Sequence, residues 1–227
     1  MYNYLELVND VNKRLNEVPL TSSNFASAGG YYADVKGYVN ASLNRINREE
    51  FEWPFNHVTY TQTLVPDQLK YNYQADAKSV AFDTFRLKGS DTLNVNSRRL
   101  RIMDYEEYLN EYADYEFNPS DYHDSPQFVI RNRSLSYTLA PPPDQAYEVV
   151  YEYYRLPVDL QDWDDVPTVP EHFRWVILEG AMYHAYMFRG AVEEASISDK
   201  LFESGIKDMR RIYATRAEYA RSTVVRS

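Results

Sequence analysis

The residues of this chain that could carry out chemistry are four histidines and a large excess of carboxylates. The histidines, His57, His123, His172 and His184, are far apart in the sequence. Only His172 and His184 fall on one predicted helix, and their separation of more than three turns is too large for one metal ion. No phosphate-binding glycine loop, nucleophile-elbow motif or cysteine occurs. We therefore expect neither a metal nor a cofactor.

Four aspartates, Asp159, Asp162, Asp164 and Asp165, invite a calcium-site interpretation. An EF-hand loop requires acidic ligands at its first, third and fifth positions and glycine at its sixth. Counted from Asp162, the fifth and sixth positions are valine and proline, so the register fails. Carboxylate pairs for glycoside hydrolysis are always available among 34 acidic residues, and no feature singles out one pair. We expect a solvated acidic linker and no enzymatic activity.

Charge is distributed unevenly along the 227 residues, whose formal net charge is −10. Residues 104–171 hold 3 basic and 16 acidic groups, whereas residues 205–227 hold 6 basic and 2 acidic groups. An acidic chain gains little from neutralising phosphates, which argues against a role in coating nucleic acid. No apolar run approaches the roughly 20 residues of a membrane span. The first residues also lack the basic region of a signal peptide, so we expect no membrane partner.

Tyrosine is the most over-represented residue, with 22 copies against 10 Phe and 3 Trp. One group of tyrosines follows helical spacing near residues 105–115, and another crowds a predicted strand near residues 151–154. Core packing and protein–protein contact are both open interpretations, since tyrosine joins a large ring to a polar tip. Because the chain is short for burying 22 tyrosines, we expect an interface with the tail or a neighbouring subunit at Tyr105, Tyr108, Tyr112, Tyr151, Tyr153 and Tyr154.

Hydrophobic periodicity predicts helices at both ends of the chain and strands between them. Helical spacing covers residues 3–17, 34–50, 170–189 and 191–219, with a further acidic helix near 104–116. Gly37 is interpreted as a point of close helix approach. The period changes to two over residues 57–65, and further strands are predicted at 80–82, 85–87, 127–131, 135–139 and 147–156.

These elements indicate an α+β fold, in which a helical module from both termini carries an inserted antiparallel β-rich module. The helical module is predicted to comprise residues 1–56 and 168–227. The β-rich module is predicted to comprise residues 57–167 and to include the acidic helix. Prolines at 157, 167 and 170 punctuate the acidic linker between the last strand and the C-terminal helices.

Four segments resemble the podophage head-to-tail adaptor family, which includes portal adaptors and tail tubular protein A-like proteins. Tyr4–Leu15 (YLELVNDVNKRL) and Ala33–Phe55 (ADVKGYVNASLNRINREEFEWPF) are similar to that family's N-terminal helices. Phe128–Leu160 (FVIRNRSLSYTLAPPPDQAYEVVYEYYRLPVDL) is similar to its β-meander, and Val169–Tyr186 (VPEHFRWVILEGAMYHAY) to its C-terminal helical hairpin. Residues 66–127 match the family least.

The resemblance implies a structural virion protein, made in the host cytoplasm and located at the head–tail junction. Such adaptors form a ring, usually of twelve copies, below the portal and above the tail nozzle. The implied partners are further copies of the chain, the portal, and a tail nozzle, tail tube or tail fibre protein. Genome DNA would pass through the ring without specific binding. The implied portal contacts lie in the basic C-terminal stretch, at Arg210, Arg211, Tyr219, Arg221, Val224, Val225 and Arg226.

Two other functions remain open at this point. The aromatic and acidic excess is also compatible with a cell-wall-degrading or carbohydrate-binding tail component, which zymography on peptidoglycan would detect. A protein-interaction domain from outside any virus is the other hypothesis, and the neighbouring genes would distinguish it.

Overall fold

A computed structural model describes residues 2–50, 52–90, 92 and 95–213. Its α+β composition confirms the predicted fold class. The helices and strands are, in chain order, α1 (Tyr4–Arg14), α2 (Ser22–Phe25), α3 (Tyr31–Glu49), β1 (His57–Thr63), β2 (Lys70–Asn72), β3 (Ala77–Leu87), β4 (Arg98–Arg99), β5 (Arg101–Met103), α4 (Tyr105–Glu111), β6 (Phe128–Arg131), β7 (Ser136–Ala140), β8 (Glu148–Arg155), α5 (Arg174–Arg189) and α6 (Val192–Tyr213).

The chain divides into two compact units. One, here called the helical unit, comprises Met1–Asn56 and Pro157–Ser227, and the other, the β unit, comprises His57–Leu156. The second boundary corrects the predicted one, which followed residue 167. The segment after β8 belongs to the helical unit because its carbonyls satisfy the first N–H groups of α1. Tyr4 N donates to the carbonyl of Asp165 at 2.8 Å, and Leu5 N donates to that of Trp163 at 3.0 Å.

The first helix begins where the sequence predicts. Asn3 has an extended backbone, and its side-chain oxygen accepts a hydrogen bond from Glu6 N at 3.0 Å. The acidic side chain of Glu6 in the first turn also suits the positive end of the helix dipole. Leu7, Val8 and Val11 on the inner face of α1 are fully buried. The capping residue and the apolar stripe therefore determine both the start and the orientation of this helix.

The third helix departs from its predicted start. It begins at Tyr31 after Gly30, whose positive φ of 58° suits a residue without a side chain, and Asp34, the predicted first residue, lies in its first turn. Val35, Val39 and Ile46 form the buried stripe. The interpretation of Gly37 is wrong, because a Cβ built there has no described atom within 4 Å.

Helices α3, α5 and α6 form the centre of the helical unit. Ser42 Oγ on α3 donates to the carbonyl of Ile177 on α5 at 2.9 Å. On the α6 side, Phe202 packs over Gly180 and Val176 packs against Gly205. Helix α5 is buried on several sides, which agrees with its apolar residues on more than one face. Glycine at these two positions lets α5 and α6 approach each other closely.

The β unit contains two four-stranded sheets. The first has the strand order β1-β8-β3-β4, and all its pairs are antiparallel. Strand β3 corrects the prediction of two short strands, since it runs as one element through a register shift between Ala81 and Arg86. Such a shift is a β-bulge or related irregularity, which bends a strand without ending it.

The second sheet has the order β2-β7-β6-β5 and is mixed. Strand β5 pairs in parallel with β6, whereas the β2–β7 and β6–β7 pairs are antiparallel. The predicted acidic helix is shorter than residues 104–116, since α4 ends at Glu111 and a 3₁₀ turn spans Ala113–Glu116. The apolar residues buried in the main core of this unit include Leu64, Tyr71, Phe85, Leu87, Leu100, Val129, Tyr137, Leu139, Val149 and Tyr151.

Candidate assembly surfaces

Two of the tyrosines on β8 that were expected at an interface lie in the core of the β unit. Tyr151 is fully buried and stacks on Phe85 with ring centroids 4.6 Å apart. Tyr153 is also buried, and its hydroxyl donates to Asp76 Oδ1 at 3.0 Å. Burial, together with this bond to a carboxylate, raises the pKa of Tyr153 to about 12. The interface prediction is corrected for both residues, because their rings pack within the subunit.

A third tyrosine, Tyr108 on α4, is also buried within the subunit and cannot contact another protein. Its ring is fully buried in a small cluster with Met103, Ile130 and Ala140. The hydroxyl lies 3.4 Å from Glu116 Oε1, and burial raises its pKa above the ordinary tyrosine value. Tyr108 anchors α4 to the neighbouring strands, so the interface prediction is corrected here as well.

The remaining three predicted tyrosines are only partly buried. Tyr105 and Tyr112 pack at the edge of the Tyr108 cluster, and the Arg133 guanidinium lies 5.9 Å from the Tyr105 ring centroid. Tyr154 lies on β8 with its ring 5.6 Å from that of His57. Tyr105 begins α4 and Tyr112 caps its C-terminal end, so both lie against the same cluster, whereas Tyr154 lies on β8. These three retain ring surface that another protein could contact.

Two predicted portal contacts near the end of α6, Arg210 and Arg211, form ion pairs within the subunit. The guanidinium of Arg210 pairs with the Glu49 carboxylate at 3.3 Å and with that of Glu50 at 3.5 Å. Arg211 is exposed and pairs with Asp208, one turn before it, at 3.7 Å. The other predicted portal contacts lie outside the described residues, namely Tyr219, Arg221, Val224, Val225 and Arg226.

The outward side of α6 exposes an apolar row that the sequence interpretation missed. Ile197, Leu201 and Ile212 are 58%, 45% and 62% exposed, and helical geometry places them within about 60° of one another. The partly exposed Trp175 ring extends this row, since it lies against Gly205. The rest of the exposed side of α6 carries charges of both signs, Lys200, Lys207 and Arg211 together with Glu193, Glu194 and Glu203. We call the four apolar residues, Trp175, Ile197, Leu201 and Ile212, the α6 surface.

The segment after β8 presents a second exposed apolar group, which lies among acidic residues. Val158, Trp163 and Val166 are all exposed, and the exposed fraction of Val158 is 78%. Exposed Asp159, Asp162 and Asp164 are interspersed with them. We call residues 158–166 the acidic segment.

The acidic segment is held in a defined conformation. The carboxylate of Asp165 accepts hydrogen bonds from Gln161 N at 2.6 Å and from Asp162 N at 2.8 Å. Asn40 on α3 donates to the carbonyl of Leu160 at 3.0 Å and accepts from its N–H at 3.1 Å. These bonds fix the loop backbone on the helical unit, so the segment is more ordered than the predicted solvated linker.

The α6 surface had a signal in the sequence. Within the predicted helix over residues 191–219, helical periodicity aligns Phe202, Ile206 and Met209 in one row and Ile197, Leu201 and Ile212 in another, and only packing decides which row is inside. No comparable pattern marks the acidic segment, because its order depends on hydrogen bonds to α1 and α3, which are distant in the sequence.

The described residues contain no group of three or more His, Asp or Glu side chains that could hold a metal ion. Within the same residues, none of the helices combines the length and apolarity that crossing a membrane requires.

Comparison with known proteins gives one family. A family model described as SU10 adaptor protein matches residues 2–226. The match spans both units, including residues 66–127, where the resemblance to podophage adaptors is weakest. It confirms the resemblance to phage head-to-tail adaptors. A search of the curated proteins finds no match.

Proposed function

The chain belongs to the SU10 adaptor protein family, and from this premise we propose that it forms a connector ring joining the portal to the tail nozzle. The family match over nearly the whole chain is the observation that carries this proposal. It supports a structural phage protein, and we extend it to a closed ring of copies, usually twelve in such adaptors, without enzymatic activity. The partners on either side would be the portal and a tail nozzle, tail tube or tail fibre protein.

The surfaces of the subunit support a role in assembly. Large side chains are exposed on the α6 surface, in the acidic segment and around Tyr105 and Tyr112 at the two ends of α4. Clusters of exposed apolar groups rimmed by charged residues are typical of protein–protein contacts. A connector requires such surfaces for its neighbours in the ring, for the portal and for the tail.

The charge of the chain supports passage of DNA instead of binding. The formal net charge of −10 per copy is multiplied by every copy in a ring. Acidic groups repel phosphates, and this repulsion would keep the genome from adhering to the ring during ejection. The exposed acidic side chains around α4, such as Glu106, Glu107 and Glu111, contribute to this negative field.

Electron microscopy of virions tests the proposal directly. We expect density for this chain in a ring between the capsid vertex and the tail. We also expect mass spectrometry to detect the chain in purified virions. Native mass spectrometry of the full chain, alone and with the portal, would give the number of copies. Absence of the chain from virions would contradict the proposal.

The portal contact has its own test. The basic stretch beyond α6 includes Arg221 and Arg226, and we propose that this stretch binds the portal together with Arg210 and Arg211. Deletion of residues 220–227 should weaken portal binding and leave the far-UV circular dichroism of the chain unchanged. Unchanged portal affinity would contradict this contact without affecting the proposed ring. The hypothesis of a cell-wall-degrading or carbohydrate-binding component has no specific support among the described residues.

A further inference from the structure

We infer that the free chain pairs with a second copy of itself through the open edge of strand β1, antiparallel and about a two-fold axis at Tyr60. This inference goes beyond the proposed function. A ring with cyclic symmetry repeats a head-to-tail contact, whereas a two-fold pair uses the same surface on both copies. The pair is therefore a state of the chain before it joins a ring, and its two copies separate when the ring forms.

Among the four edge strands of the described sheets, β1 alone lacks protection against pairing with another strand. The other three, β2, β4 and β5, are two or three residues long, and each carries a lysine or an arginine. Short length and positive charge are common means by which proteins prevent sheets from pairing edge to edge. Strand β1 instead spans seven residues, HVTYTQT, and contains no Lys, Arg, Asp, Glu or Pro. It also pairs with β8 without a register shift, so no bulge turns its edge away.

The hydrogen bonds to the β8 side indicate which backbone groups of β1 point away from the sheet. Leu64 N, directly after the strand, donates to the carbonyl of Tyr147, directly before β8, at 2.8 Å. Backbone groups alternate in direction along an antiparallel strand. The even-numbered residues of β1 therefore face β8, and the backbone groups of Thr59, Thr61 and Thr63 face outward.

A second hydrogen bond agrees with this assignment. Thr59 lies opposite Glu152 in the register of β1 and β8, and Glu152 N donates to Thr84 Oγ1 on β3. The backbone of Glu152 thus faces away from β1, as expected for a pair that shares no hydrogen bond. Within the described chain, the outward N–H groups of the three threonines have no hydrogen-bond partner. Of their carbonyls, that of Thr63 accepts a bond from the Gln62 side chain at 2.9 Å.

A two-fold axis at Tyr60 places these outward groups opposite one another. Thr59 of each copy then faces Thr61 of the other, and such a pair exchanges two backbone hydrogen bonds. At each end of the paired stretch, the N–H group of Thr63 meets the carbonyl of His57. An axis at any other residue of β1 would shorten the paired stretch and leave more of these groups without a partner. The register about Tyr60 therefore makes the fullest use of the open edge.

The side chains of β1 explain why the occupant is a second copy of the same strand. Pairing of identical strands brings identical side chains close together, and like charges at such positions repel each other. An uncharged strand avoids this repulsion. Threonine pairs and aromatic pairs stabilise neighbouring strands, and the proposed register supplies Thr59 beside Thr61 and Tyr60 beside its own counterpart. The Tyr60 ring already packs against Tyr151, with centroids 5.6 Å apart, so the pair extends the aromatic core of the β unit.

Sedimentation velocity of the full chain, measured over a wide range of concentrations, tests the pairing. We expect a reversible equilibrium between monomer and dimer. Thr61→Pro should weaken dimerisation by about tenfold or more, because proline lacks the N–H group and each dimer then loses two hydrogen bonds. This N–H group makes no bond within the described chain, so an edge strand can accept proline here, and circular dichroism checks the fold.

Thr59→Lys is a second variant, which does not depend on the acceptance of proline. It places two lysines near the axis, one from each copy, and their repulsion should also weaken dimerisation by about tenfold or more. Asn110→Lys adds the same charge at an exposed position of α4 in the same unit. This matched control should leave the equilibrium unchanged.

Disulfide formation tests the register, since the chain has no natural cysteine. A mixture of Thr59→Cys and Thr61→Cys should form a disulfide-linked heterodimer when an oxidant is added. Residues in a hydrogen-bonded antiparallel pair have Cα atoms about 5.5 Å apart, which suits a disulfide. In either variant alone the two cysteines are offset by two residues, beyond the limit of about 7 Å, so we expect little product. A mixture of Thr59→Cys and Thr63→Cys has the same offset and is the matched control.

The outcomes distinguish this inference from the connector function. A chain that stays monomeric and forms no disulfide would overturn the pairing, and a ring seen in virions would still stand. Dimers that resist both Thr61→Pro and Thr59→Lys would place the contact on another surface and overturn the inference. Disulfides formed mainly by one cysteine variant alone would contradict the axis at Tyr60.

Two further outcomes concern the other possible occupant and the ring. A monomeric chain whose Thr61→Pro variant loses affinity for the portal would show that the β1 edge takes a strand of the portal, which also overturns the pairing. Dimers with the expected register, from a chain that is absent from virions, would support the pairing and contradict the connector function.

Discussion

The Phe202 ring lies against the backbone of Gly180, so that a Cβ at position 180 would stand 2.8 Å from ring atom Cδ2. Real Cβ atoms essentially never approach another heavy atom this closely. The same Cβ would also meet Ser42 Oγ, whose hydrogen bond to α5 holds α3 in place. Gly180 is therefore the point at which three helices converge, and any side chain there must displace one of them.

Gly180→Ala should lower the free energy of unfolding by about 1–2 kcal/mol. Overpacking of a dense core commonly costs about 1–3 kcal/mol, and the better helix propensity of alanine offsets part of this loss. Urea denaturation followed by circular dichroism measures the difference.

Gly37→Ala is the matched control, since Gly37 is also a mid-helix glycine but has open space around it. It should raise the free energy of unfolding by about 0.5–1 kcal/mol. Equal effects of the two substitutions would contradict the packing described at Gly180.

Tyr137→Phe should raise the free energy of unfolding by about 1 kcal/mol. The Tyr137 ring is fully buried among Phe85 and Tyr151, and its hydroxyl has no hydrogen-bond partner within the described part of the chain. A buried hydroxyl without a partner loses its hydration and gains nothing in return. Urea midpoints of the two proteins provide the comparison.

Tyr147→Phe should have the opposite effect, a loss of about 1–2 kcal/mol. The Tyr147 hydroxyl donates to Asp144 Oδ1 at 2.6 Å, and burial together with that bond raises its pKa to about 12. A gain in stability from both substitutions would show that the Asp144 bond contributes nothing.

Stability of the helical unit should fall as the pH drops below about 6.5, the ordinary pKa of histidine. Burial lowers the pKa of His184, and the nearby Arg45 lowers it further, whereas Asp199 acts in the opposite direction. The unfolded chain then binds a proton at a higher pH than the folded one, so protonation favours unfolding. The stabilisation is complete above about pH 6.5 and is lost progressively below it.

Urea midpoints at about pH 7.5 and about pH 5.5 measure this loss, and His184→Phe should reduce it. Phenylalanine retains an aromatic ring for the stack on Tyr38, whose centroid lies 5.9 Å from that of His184. An identical pH dependence in the wild type and the variant would show that another group is responsible.

Tyr105→Ala and Tyr108→Ala should separate assembly from folding. Tyr108 is fully buried, and removal of a large aromatic ring from a core costs about 3–5 kcal/mol. Tyr105 is only partly buried, so its replacement should cost about 1 kcal/mol or less. If α4 contacts the tail or a neighbour, the Tyr105 variant should remain folded and bind that partner more weakly. Equal stability losses in the two variants would contradict the difference in burial.

Helices of the helical unit were largely predictable from the sequence because their signals are local. Asn3 marks the start of α1, Gly190 ends α5, and apolar residues recur at helical spacing between such points. The single strand β3 was not predictable in one piece, because its polar Asp83 and Thr84 suggest a turn. In the folded chain Thr84 Oγ1 accepts a bond from Glu152 N at 2.9 Å, so pairing with β8 carries the strand past this point.

The candidate surfaces were predictable only in part, because contacts between distant segments decide which side chains are exposed. Composition indicated that tyrosine and charge would matter, but Tyr105 and Tyr108 have the same residue type and lie one helical turn apart. Their exposure differs because the strands that cover Tyr108 come from elsewhere in the chain. Residue type determines how well a side chain suits a surface or a core. The helices and strands packed around it determine which of the two it occupies.

The sequence by itself determined the α+β class, the main helices and the excess of acidic charge, since each follows from local periodicity or simple counting. Only the tertiary structure decided that the acidic segment belongs to the helical unit, where Asn40 of α3 binds its backbone. The position of the segment depends on hydrogen bonds between residues far apart in the chain, such as that from Asn40 to Leu160. Local patterns contain no information about such pairs, because their geometry exists only once the helices have packed.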